Sequence, residues 1–451
     1  MKFSYRKVRG WASNDVAKVK VFEPESIEEI VQIIKNSEPN SIISRGNGRS
    51  YGCAAQIHNG NIIKLNNKSF KSIIIDDKKH LLKVGAGVIF QNLITKILSK
   101  GYFLPVTAGT SKITVGGAIA ADIHGKNHPR DGSFGSYVKE LLIIDGCGNL
   151  KKLKPGVGSS LANVEEFWAT IGGMGLTGVI VSATFSLKKI SSSFMNVYSQ
   201  RFSNLYELLD NMLIREKNYN YNVAWIDCFD ANFRGILTSA NHLQSAQIKS
   251  SKIPKNKKFS SITLPLIFPL NLLNKNLVKF FNFFYFYNSP KNHKSYKSIQ
   301  SFFYPLDKID NWNKLYGSAG FLQYQFVIPE HSKNLIFEVL KLLKKNKIYG
   351  YLAVLKRFGN ANPGYLSFPQ KGWTLSIDFP KSNIYIYVIL RKIDEIISAS
   401  GGRLYLAKEE GRLSSDLFKY SYKKFSEWHA IKLRMDPRNI FCSDLYKKIT
   451  S

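Results

Sequence analysis

The chain has 451 residues, of which 44% are hydrophobic and 13% aromatic, so it has enough apolar side chains for a large folded core. This length excludes a single small domain and, at about 150 residues per domain, indicates two or three structural units. The 64 Lys and Arg against 32 Asp and Glu give a net charge of +32, which favours anionic partners such as phosphates, nucleic acid or a membrane surface. A coding bias towards Lys, Asn and Ile explains the same excess.

The cysteines and the N-terminus bear on the compartment. The four cysteines lie far apart and form no C-x-x-C pair, which argues against a disulfide framework and against a zinc knuckle. The N-terminal segment lacks the apolar region of a signal peptide, and the longest apolar stretch, residues 262–287, is interrupted by Pro and Lys. We therefore expect a cytoplasmic protein without a membrane-spanning helix.

The first part of the chain alternates predicted strands and helices. AKVKVFEP predicts a strand, and Ser26 then caps a helix in SIEEIVQIIKN, with Glu29 completing a capping box. SIIS and HLLKVGAG predict further strands, and QNLITKILSKG predicts a helix that ends at Gly101. A hairpin is expected in LLIIDGCGNLKKL, and a turn followed by a long strand in GGMGLTGVIVSATFSL.

The amino-acid composition changes after about Leu187, where glycines become fewer and aromatic residues more frequent. FLQYQFVIP and GWTLSIDFP alternate as strands do, and LIFEVLKLLKKN between them has helical spacing. From Gly401 the tail returns to a glycine-led strand, GGRLYLAKE. A second domain is therefore expected in the middle of the chain.

The loop RGNGRSYG brings Gly46, Gly48 and Gly52 directly after a predicted strand, where small residues let backbone N–H groups approach a diphosphate. The spacing is G-x-G-x-x-x-G, no helix follows, and Ser72 stands where a Rossmann fingerprint has an acidic residue. A Rossmann dinucleotide site is therefore excluded, and an anion-binding loop and a simple turn both remain open.

A second glycine-rich stretch, residues 107–136, has too many small residues to form a packed core by itself. Such a stretch lets backbone approach a flat ring system and its phosphates, and His124 and Lys126 add hydrogen-bond donors. A structural histidine is the other interpretation of His124. His124 and His128 also have metal-ligand spacing, but Pro129 and the nearby glycines argue against the helix that would bring both rings together, so no metal site is predicted.

The blocks RGNGRSYG, TVGGAIAADIHGKNHPRDGSFG, GGMGLTG, GFLQYQFVIP, LKRFGNANPGYLSFPQKGWTLSIDFP and GGRLYLAKE closely resemble the FAD-dependent decaprenylphosphoryl-β-D-ribose 2′-oxidases, which are vanillyl-alcohol-oxidase type flavoproteins. The resemblance extends over nearly the whole chain. It implies an α+β fold with a bipartite PCMH-type FAD-binding domain in residues 1–190, an antiparallel-sheet substrate domain with helices in residues 191–402, and a C-terminal segment, 403–451, that returns to the FAD domain.

The resemblance also implies which residues contact FAD. The diphosphate loop and the residues that follow it along the cofactor are Ser44, Arg45, Gly46, Asn47, Gly48, Arg49, Ser50, Tyr51, Gly52, Cys53, Ala54, Gly109, Thr114, Val115, Gly116, Gly117, Ala121, Asp122, Ile123, His124, Ile180 and Tyr405. Many flavoproteins of this type tether FAD through a His in R-G-x-G-H-S. Arg49 stands at that position here, so the resemblance implies noncovalent FAD.

For catalysis, Lys408 matches the essential active-site lysine of the family. Flavin oxidation of a secondary alcohol moves a hydride to the ring and leaves negative charge there, so a cation is needed nearby. Lys408 stabilises that charge, holds the substrate hydroxyl, or acts as the base after desolvation beside other cations lowers its pKa, and the sequence does not choose between these roles. His124 is the other candidate base. The residues that match the substrate pocket are Tyr51, Lys126, Trp225, Gln325, Lys356, Ser376 and Lys408. Ser376 replaces a cysteine that covalent nitro-aromatic inhibitors attack in some members.

A polyprenyl-phosphate sugar needs cations for its phosphate and an apolar path for its lipid. Lys126, Lys356 and Arg357 are candidates for the phosphate, and Phe303 replaces a pocket Tyr of the family. The aromatic run from Phe280 to Tyr287, with the basic stretch 249–258 upstream, suits either an anionic membrane surface or a core helix beside a solvated loop.

The expected activity is oxidation of the 2′-hydroxyl of a polyprenyl-phosphoryl ribose to a ketone. A separate NAD(P)H-dependent short-chain reductase then completes an epimerisation in cell-envelope glycan synthesis, with peripheral contact at the inner face of the plasma membrane. The alternative on the same fold is an aldonolactone or sugar-alcohol oxidase. A polyanion-binding protein would explain the charge, but the chain has no nucleic-acid-binding motif, so no nucleic-acid partner is expected.

Overall fold

The structure is a computed structural model of the chain, and it describes all residues except 1, 13, 14, 157, 245–261, 264–272 and 382; for residues 262–263 it describes the backbone alone. The basic stretch 249–258 and part of the apolar stretch 262–287 therefore lie outside the described residues.

The N-terminal elements alternate strands with short helices. In chain order they are β1 Phe3–Val8, β2 Ala17–Phe22, α1 Ile27–Lys35, β3 Ile42–Ser44, β4 Asn61–Ile63, β5 Ile73–Asp76, β6 Leu81–Gly85, α2 Phe90–Leu98, β7 Tyr102–Phe103, α3 Val115–Ala120, α4 His128–Asp131, β8 Val138–Ile144, β9 Leu150–Leu153, α5 Leu161–Thr170, β10 Val179–Ser186 and β11 Lys188–Lys189.

Two larger sheets and the two-stranded pair β7-β11 form this region. One has four strands in the order β1-β2-β4-β3, and the other has five in the order β5-β6-β10-β8-β9, all of them antiparallel pairs. The helix predicted after Ser26 begins where expected, because the Ser26 hydroxyl accepts the Glu29 N–H. The Glu29 carboxylate reaches one residue further than a capping box requires, to the Glu25 N–H at 2.8 Å.

The middle of the chain contributes a larger sheet and its helices. In chain order the elements are β12 Phe194–Phe202, α6 Leu205–Glu216, β13 Tyr221–Ile226, β14 Gly235–His242, β15 Ile262–Thr263, α7 Lys275–Asn288, β16 Asn292–Ser298, α8 Ile299–Phe303, β17 Ile309–Asp310, β18 Phe321–Pro329, α9 Leu335–Lys345, β19 Leu352–Phe358, β20 Gly372–Pro380, α10 Ile386–Ala399 and β21 Arg403–Leu404. The last helices are α11 Ser415–Ser421, α12 Phe425–Met435 and α13 Asp444–Thr450.

The large sheet has eight strands in the order β16-β12-β14-β13-β19-β20-β18-β21, and each neighbouring pair is antiparallel. Apolar residues of α6 and α10, such as Leu208 and Leu390, share a core with Leu237, Leu355 and Leu375 of the strands. Side chains alternate along a strand, so residues such as Val354 and Ser376 lie on the opposite face. That face is turned towards the N-terminal region, where it lines a cavity with it.

The C-terminal segment packs back against the beginning of the chain. Phe441 forms a parallel bridge with Ile42, and the Cys442 N–H donates to the Ile42 carbonyl at 2.9 Å. The Tyr51 N–H also donates to the Ala407 carbonyl at 2.9 Å, so the first glycine loop is joined directly to the residue before Lys408. The predicted α+β fold is confirmed.

Local differences from the predicted elements have physical causes. The tail strand is limited to Arg403–Leu404, and residues 406–408 form a 3₁₀ turn in which Lys408 N–H donates to the Tyr405 carbonyl. A helical turn does form at His128–Asp131, because proline is tolerated in the first turn of a helix, but His124 lies before that turn. Among the described residues, no helix combines the length and the apolar character needed to cross a bilayer.

Candidate active site

A cavity of about 350 Å³ lies between the N-terminal region and the face of the eight-stranded sheet that carries Val354 and Ser376. Its volume is within the range of small-molecule and cofactor sites, about 300–1,000 Å³. Two surfaces of the cavity differ in the parts of the chain that form them. The glycine wall consists of Gly46, Gly48, Gly109, Gly116 and Gly117, and the sheet wall consists of Gln325, Val354, Lys356 and Ser376.

In the first loop of the glycine wall, contacts at Gly46 and Gly48 leave no room for side chains. A Cβ on Gly46 would collide with the Thr114 hydroxyl, and Gly48 has φ +63° with the Arg45 guanidinium 2.5 Å from where its Cβ would be. Arg45 holds the loop from beneath, because its guanidinium donates to the Ala55 and Arg9 carbonyls. The loop is therefore fixed by the protein's own groups, and its backbone faces the cavity.

The start of α3 continues this wall. Thr114 caps the helix, because its hydroxyl accepts a hydrogen bond from the Gly117 N–H. A Cβ on Gly117 would have the Thr114 hydroxyl as its one neighbour within 4 Å among the described residues. A Cβ on Gly109 would meet nothing within 4 Å. The Ser44 hydroxyl is buried at the cavity and has no hydrogen-bond partner among the described residues. These groups leave room and a free polar atom for a bound ligand.

The cavity brings most of the predicted cofactor residues together. The wall contains Ser44, Arg45, Gly46, Asn47, Gly48, Arg49, Ser50, Tyr51, Ala54, Gly109, Thr114, Gly116, Gly117, Ala121, Ile123, His124, Ile180 and Tyr405. Gly52, Cys53, Val115 and Asp122 lie behind it. Gly52 allows the Glu409 carbonyl to approach, and Cys53 and Val115 are core residues.

Asp122 is a buried anchor of the wall, at φ +37°. Its carboxylate accepts from the Ser133 hydroxyl at 2.7 Å, the Gly135 N–H at 2.8 Å, the Asn362 amide at 2.8 Å and the Ser367 hydroxyl. Burial raises its pKa, and these donors oppose that shift. Asp122 therefore joins the His124 segment to the loop 362–367, which connects β19 and β20 of the large sheet. Its side chain does not line the cavity.

Lys408 lies where the two walls meet. Its ammonium is 3.2 Å from the centre of the Tyr51 ring, which is a cation–π contact. Desolvation lowers the pKa of Lys408 well below its usual value, and the Asp378 carboxylate opposes this shift. Asp378 itself is buried, accepts from the Gln323 amide at 2.5 Å, and has its pKa raised to about 7 by desolvation. Lys408 and Asp378 form no ion pair within 4 Å, and they act on each other electrostatically in a low-dielectric setting, where protonation states respond strongly to nearby charge.

His124 is buried on the cavity wall among aromatic rings. The Gln325 amide nitrogen lies 3.1 Å from His124 Nε2, so Nε2 accepts and the neutral ring carries its proton on Nδ1. Desolvation lowers the pKa of His124 well below 6.5, and Lys356 contributes to the shift. Nδ1 has no partner among the described residues, so a neutral imidazole offers a donor at this point.

The sheet wall places polar side chains at matched positions of neighbouring strands. Gln325 on β18 pairs with Ser376 on β20, which pairs in turn with Val354 on β19. Lys356 lies two residues beyond Val354 on the same face, and desolvation lowers its pKa to about 8. Two cations that line the cavity, Lys356 and Lys408, therefore act electrostatically on His124.

Other predicted substrate residues lie outside the cavity wall. The Lys126 ammonium donates to the Phe302 carbonyl at 2.5 Å, Trp225 packs against Tyr285 at 4.9 Å, and Arg357 pairs with Glu216 and Glu330. Phe303 is a core residue packed on Phe103. Each of these side chains has a protein partner in this structure. Trp225 is the register partner of Val354 in the sheet wall, and Lys356 acts electrostatically on Lys126, so both lie near the cavity, and their part in substrate binding stays a prediction.

The sequence missed several wall residues that come from distant parts of the chain: Trp11, Lys64, Lys112, Asp307, Trp312 and Gln323. Gln323 precedes Gln325 by two residues in a predicted strand, so its period-two spacing was a usable signal. Trp11, Asp307 and Trp312 stand in segments without a motif, and their convergence depends on the fold.

Comparisons with known proteins agree with this geometry. Residues 19–154 match the family described as FAD binding domain. The chain is 34% identical to the decaprenylphosphoryl-β-D-ribose oxidase of Mycolicibacterium smegmatis over 98% of this chain and 97% of that protein. It is also 29% identical to the D-arabinono-1,4-lactone oxidase of Saccharomyces cerevisiae, over 39% of this chain and 33% of the relative. Cytokinin dehydrogenase 1 of Arabidopsis thaliana matches 51% of the chain at 25% identity.

The residues present fit FAD. The glycine wall provides the close backbone approach that a diphosphate requires, and the unpartnered Ser44 hydroxyl can donate to it. Arg49, Lys64, Lys112, Lys356 and Lys408 line the same cavity, and among its described lining residues Asp307 is the sole carboxylate. This charge balance suits a dianionic cofactor whose ring becomes anionic on reduction.

Proposed function

This chain belongs to the decaprenylphosphoryl-β-D-ribose oxidase family, and from that premise we propose that it oxidises the 2′-hydroxyl of a polyprenyl-phosphoryl ribofuranose to a ketone. It is an FAD-dependent oxidoreductase. The observation that carries the substrate proposal is the near full-length match at 34% identity, compared with partial matches to lactone oxidases. The cationic cavity supports it, since the substrate is an anion.

In this proposal the residues around the cavity hold the sugar and handle its hydroxyl proton. FAD, when bound, accepts the hydride from the carbinol carbon. Lys408 holds the substrate hydroxyl, and its lowered pKa lets it take the proton, with Asp378 as its charge partner. His124 serves as a neutral hydrogen-bond donor through Nδ1, because its lowered pKa keeps the ring uncharged, with a single proton, at neutral pH. Gln325 fixes that tautomer.

The test is anaerobic reduction of the bound flavin, which is measured as the loss of its visible absorbance. Purified holoenzyme is mixed with geranylphosphoryl-β-D-ribofuranose, and in parallel with D-arabinono-1,4-lactone and with free ribose. We expect bleaching by the lipid-phosphoryl sugar at a rate at least tenfold above the lactone. Bleaching by the lactone alone would replace this proposal with the aldonolactone oxidase alternative.

We also propose that FAD is held without a covalent bond, since Arg49 stands at the tether position of related flavoproteins and its guanidinium is not a nucleophile. Acid precipitation should release all the flavin into the supernatant. Yellow precipitate would contradict this.

A ketone at C2′ is the product of this reaction, and hydride addition from the opposite face would complete an epimerisation. We propose that a separate NAD(P)H-dependent short-chain reductase does this, since FAD chemistry at a single cavity returns the hydride to the face it left. With added reductase and NADPH, the product should be the arabino epimer by NMR. Recovery of the ribo sugar would contradict the proposal.

We propose, further, that α7 rests on an anionic lipid surface from which the substrate enters. Its exposed face carries Phe280 and Phe281, exposed by 61% and 62%, with Phe283, Phe284 and Tyr287 beside them. The helix has Lys275 and Lys279 and no acidic residue. Arg201 holds its last turn by donating to the Phe286 and Tyr287 carbonyls, so the aromatic face is presented by an anchored helix. Amphipathic surfaces of this type bind the interface of anionic membranes.

The position of α7 relative to the cavity supports this route. Tyr285 contacts Trp225, and Trp225 is the register partner of Val354 in the sheet wall. The aromatic helix therefore borders the sheet face that lines the cavity, and a lipid tail leaving the cavity along this face would meet it.

Vesicle sedimentation tests the surface. The full chain with Phe280, Phe281 and Phe284 changed to Ser should lose at least tenfold in binding to vesicles of phosphatidylglycerol and phosphatidylcholine. The control changes Ile384, an exposed residue of another region, to Ser and should bind as the unchanged protein does. Equal binding by the triple variant would contradict the role of α7.

A further inference from the structure

Arg49 carries a positive charge at the cavity for which the described part of the chain supplies no acceptor. Its guanidinium stacks on the Trp11 ring at 3.8 Å, and its Nε is buried without a hydrogen-bond partner among the described residues. The nearest carboxylate in the cavity wall, Asp307, is committed elsewhere. It accepts from the Thr110 hydroxyl, the Ser111 N–H and the Ser111 hydroxyl, each at 2.7 Å.

Stacking fixes the plane of the guanidinium while leaving its donors free. An arginine fork oriented in this way matches two oxygens of a phosphate, which a lysine cannot do. Desolvation lowers the pKa of Arg49 and Asp307 opposes the shift, and an arginine stays charged across the physiological range in either case. An unpaired charge at a cavity is costly unless a ligand completes it.

Tyr51 connects Arg49 to Lys408, the lysine that holds the substrate hydroxyl in the proposed function. Tyr51, two residues further along the loop, holds Lys408 over its ring at 3.2 Å and interacts electrostatically with Arg49. Lys112, the other cation near Arg49, is already paired with Asp310. Arg49, which has no hydrogen bond or ion pair to the described residues, therefore shares the neighbour Tyr51 with the group that engages the sugar hydroxyl.

The chemistry of the substrate gives this spacing a meaning. In a phosphoryl-β-ribofuranose the phosphate is attached to C1′, the carbon next to the C2′ that is oxidised. A site that holds the 2′-hydroxyl must therefore meet the phosphate within a few bond lengths. We propose that the side chain of Arg49, oriented by Trp11, binds the phosphate of the lipid-phosphoryl sugar and selects it over phosphate-free sugars. This inference rests on the proposed function.

Phosphate oxygens at this cavity have two sources, the substrate and the FAD diphosphate. The experiment separates them by measuring FAD content and substrate affinity in the same variants. The probes are geranylphosphoryl-2-deoxy-β-D-ribofuranose, which cannot be oxidised because it lacks the 2-hydroxyl, and its phosphate-free counterpart, geranyl 2-deoxy-β-D-ribofuranoside. Calorimetric titration of the holoenzyme gives their dissociation constants without turnover.

We expect Arg49→Gln to bind the phosphorylated probe about tenfold to a hundredfold more weakly, the range for a charged hydrogen bond, and the phosphate-free probe unchanged. Arg49→Lys should lose less, because it keeps the charge without the fork. Arg391→Gln, which removes one charge from the exposed side of α10, should match the unchanged protein. FAD content should be the same in all four proteins.

Three results would overturn the inference. One is equal affinity of Arg49→Gln and the unchanged protein for the phosphorylated probe. Another is no preference of the unchanged protein for phosphate, and the third is loss of FAD from the soluble Arg49→Lys variant, which would assign the side chain to the cofactor. Failure of the proposed function is a separate result, because it would be seen as phosphate-dependent binding without flavin bleaching by geranylphosphoryl-β-D-ribofuranose.

Discussion

The glycine wall and the sheet wall face the same cavity, but they are built in opposite ways. The glycine wall presents backbone, and side chains such as Arg45 and Thr114 hold it from behind. The sheet wall presents side chains, including Lys356 and Gln325, from strands that pair with the central strand β20 along their length. The first surface is suited to a large cofactor held by shape, and the second to the substrate and its charges. Changes in the two walls should therefore have separable effects.

Lys408→Ala should give the largest effect, on turnover alone. The change removes the ammonium beside Tyr51, and loss of an acid–base group lowers kcat by about 10²–10⁴-fold. FAD content and the visible spectrum should be preserved, since the glycine wall is untouched. Stopped-flow flavin reduction measures the rate. Lys371→Ala, in an exposed ion pair with Glu330, is the control and should be as active as the unchanged protein. Full activity of Lys408→Ala would remove Lys408 from the chemistry.

Gly48→Val should affect the other wall, lowering cofactor occupancy. Valine is strained at φ +63°, and its Cβ would lie 2.5 Å from the Arg45 guanidinium that supports the loop. We expect the ratio of FAD to protein after purification to fall at least fivefold. Gly156→Val is the matched control, because nothing lies within 4 Å of its Cβ direction and its φ is not positive. Normal FAD content in Gly48→Val would contradict the shape argument.

These two walls were not equally predictable from the sequence. The glycine wall follows from contiguous motifs, because small residues and local turns determine where its backbone lies. Even there, Gly52 and Asp122 stand within the motifs but do not line the cavity. Gly52 leaves space for the Glu409 carbonyl, and the Asp122 carboxylate accepts from Ser133 and Asn362. A motif indicates a segment, and the direction of each side chain depends on what packs behind it.

The rest of the site depends on long-range packing that a single sequence does not encode visibly. Lys126 lies two residues from His124, and its ammonium donates to the carbonyl of Phe302, a partner far along the chain that the sequence does not indicate. Trp11 and Asp307 join the wall without any motif. The positions on regular strands, such as Gln325 and Lys356, were predictable together because alternation places every second residue on one face.

Lys356→Gln should have a smaller effect that depends on pH. Desolvation lowers the pKa of Lys356 to about 8, so its ammonium is charged below pH 8 and is lost as the pH rises through that value. For an anionic substrate, kcat/KM of the unchanged protein should fall above about pH 8. The glutamine variant should be about tenfold less active at pH 7 and lack this fall.

Lys356→Arg is the matched variant, since arginine stays charged at alkaline pH. Its kcat/KM should hold up to pH 9.5, even if its value at pH 7 is lower. A fall near pH 8 that persists in both variants would assign the titration to another group of the cavity.

Among these variants, Ser376→Cys should change the activity least, and it should make the sheet wall reactive towards thiol reagents. Serine and cysteine differ by one atom, and Ser376 makes no side-chain hydrogen bond to the described residues, so we expect kcat/KM within about threefold of the unchanged protein. The new thiol would line the cavity, whereas Cys53, Cys228 and Cys442 are buried and Cys147 is exposed elsewhere. In a Cys147→Ser background, N-ethylmaleimide should inactivate Ser376→Cys alone, and the 2-deoxy phosphorylated probe should protect it. Protection is the informative result. A thiol that reacts equally with and without the probe would lie outside the space that the substrate occupies. The sheet wall would then have no part in binding the substrate.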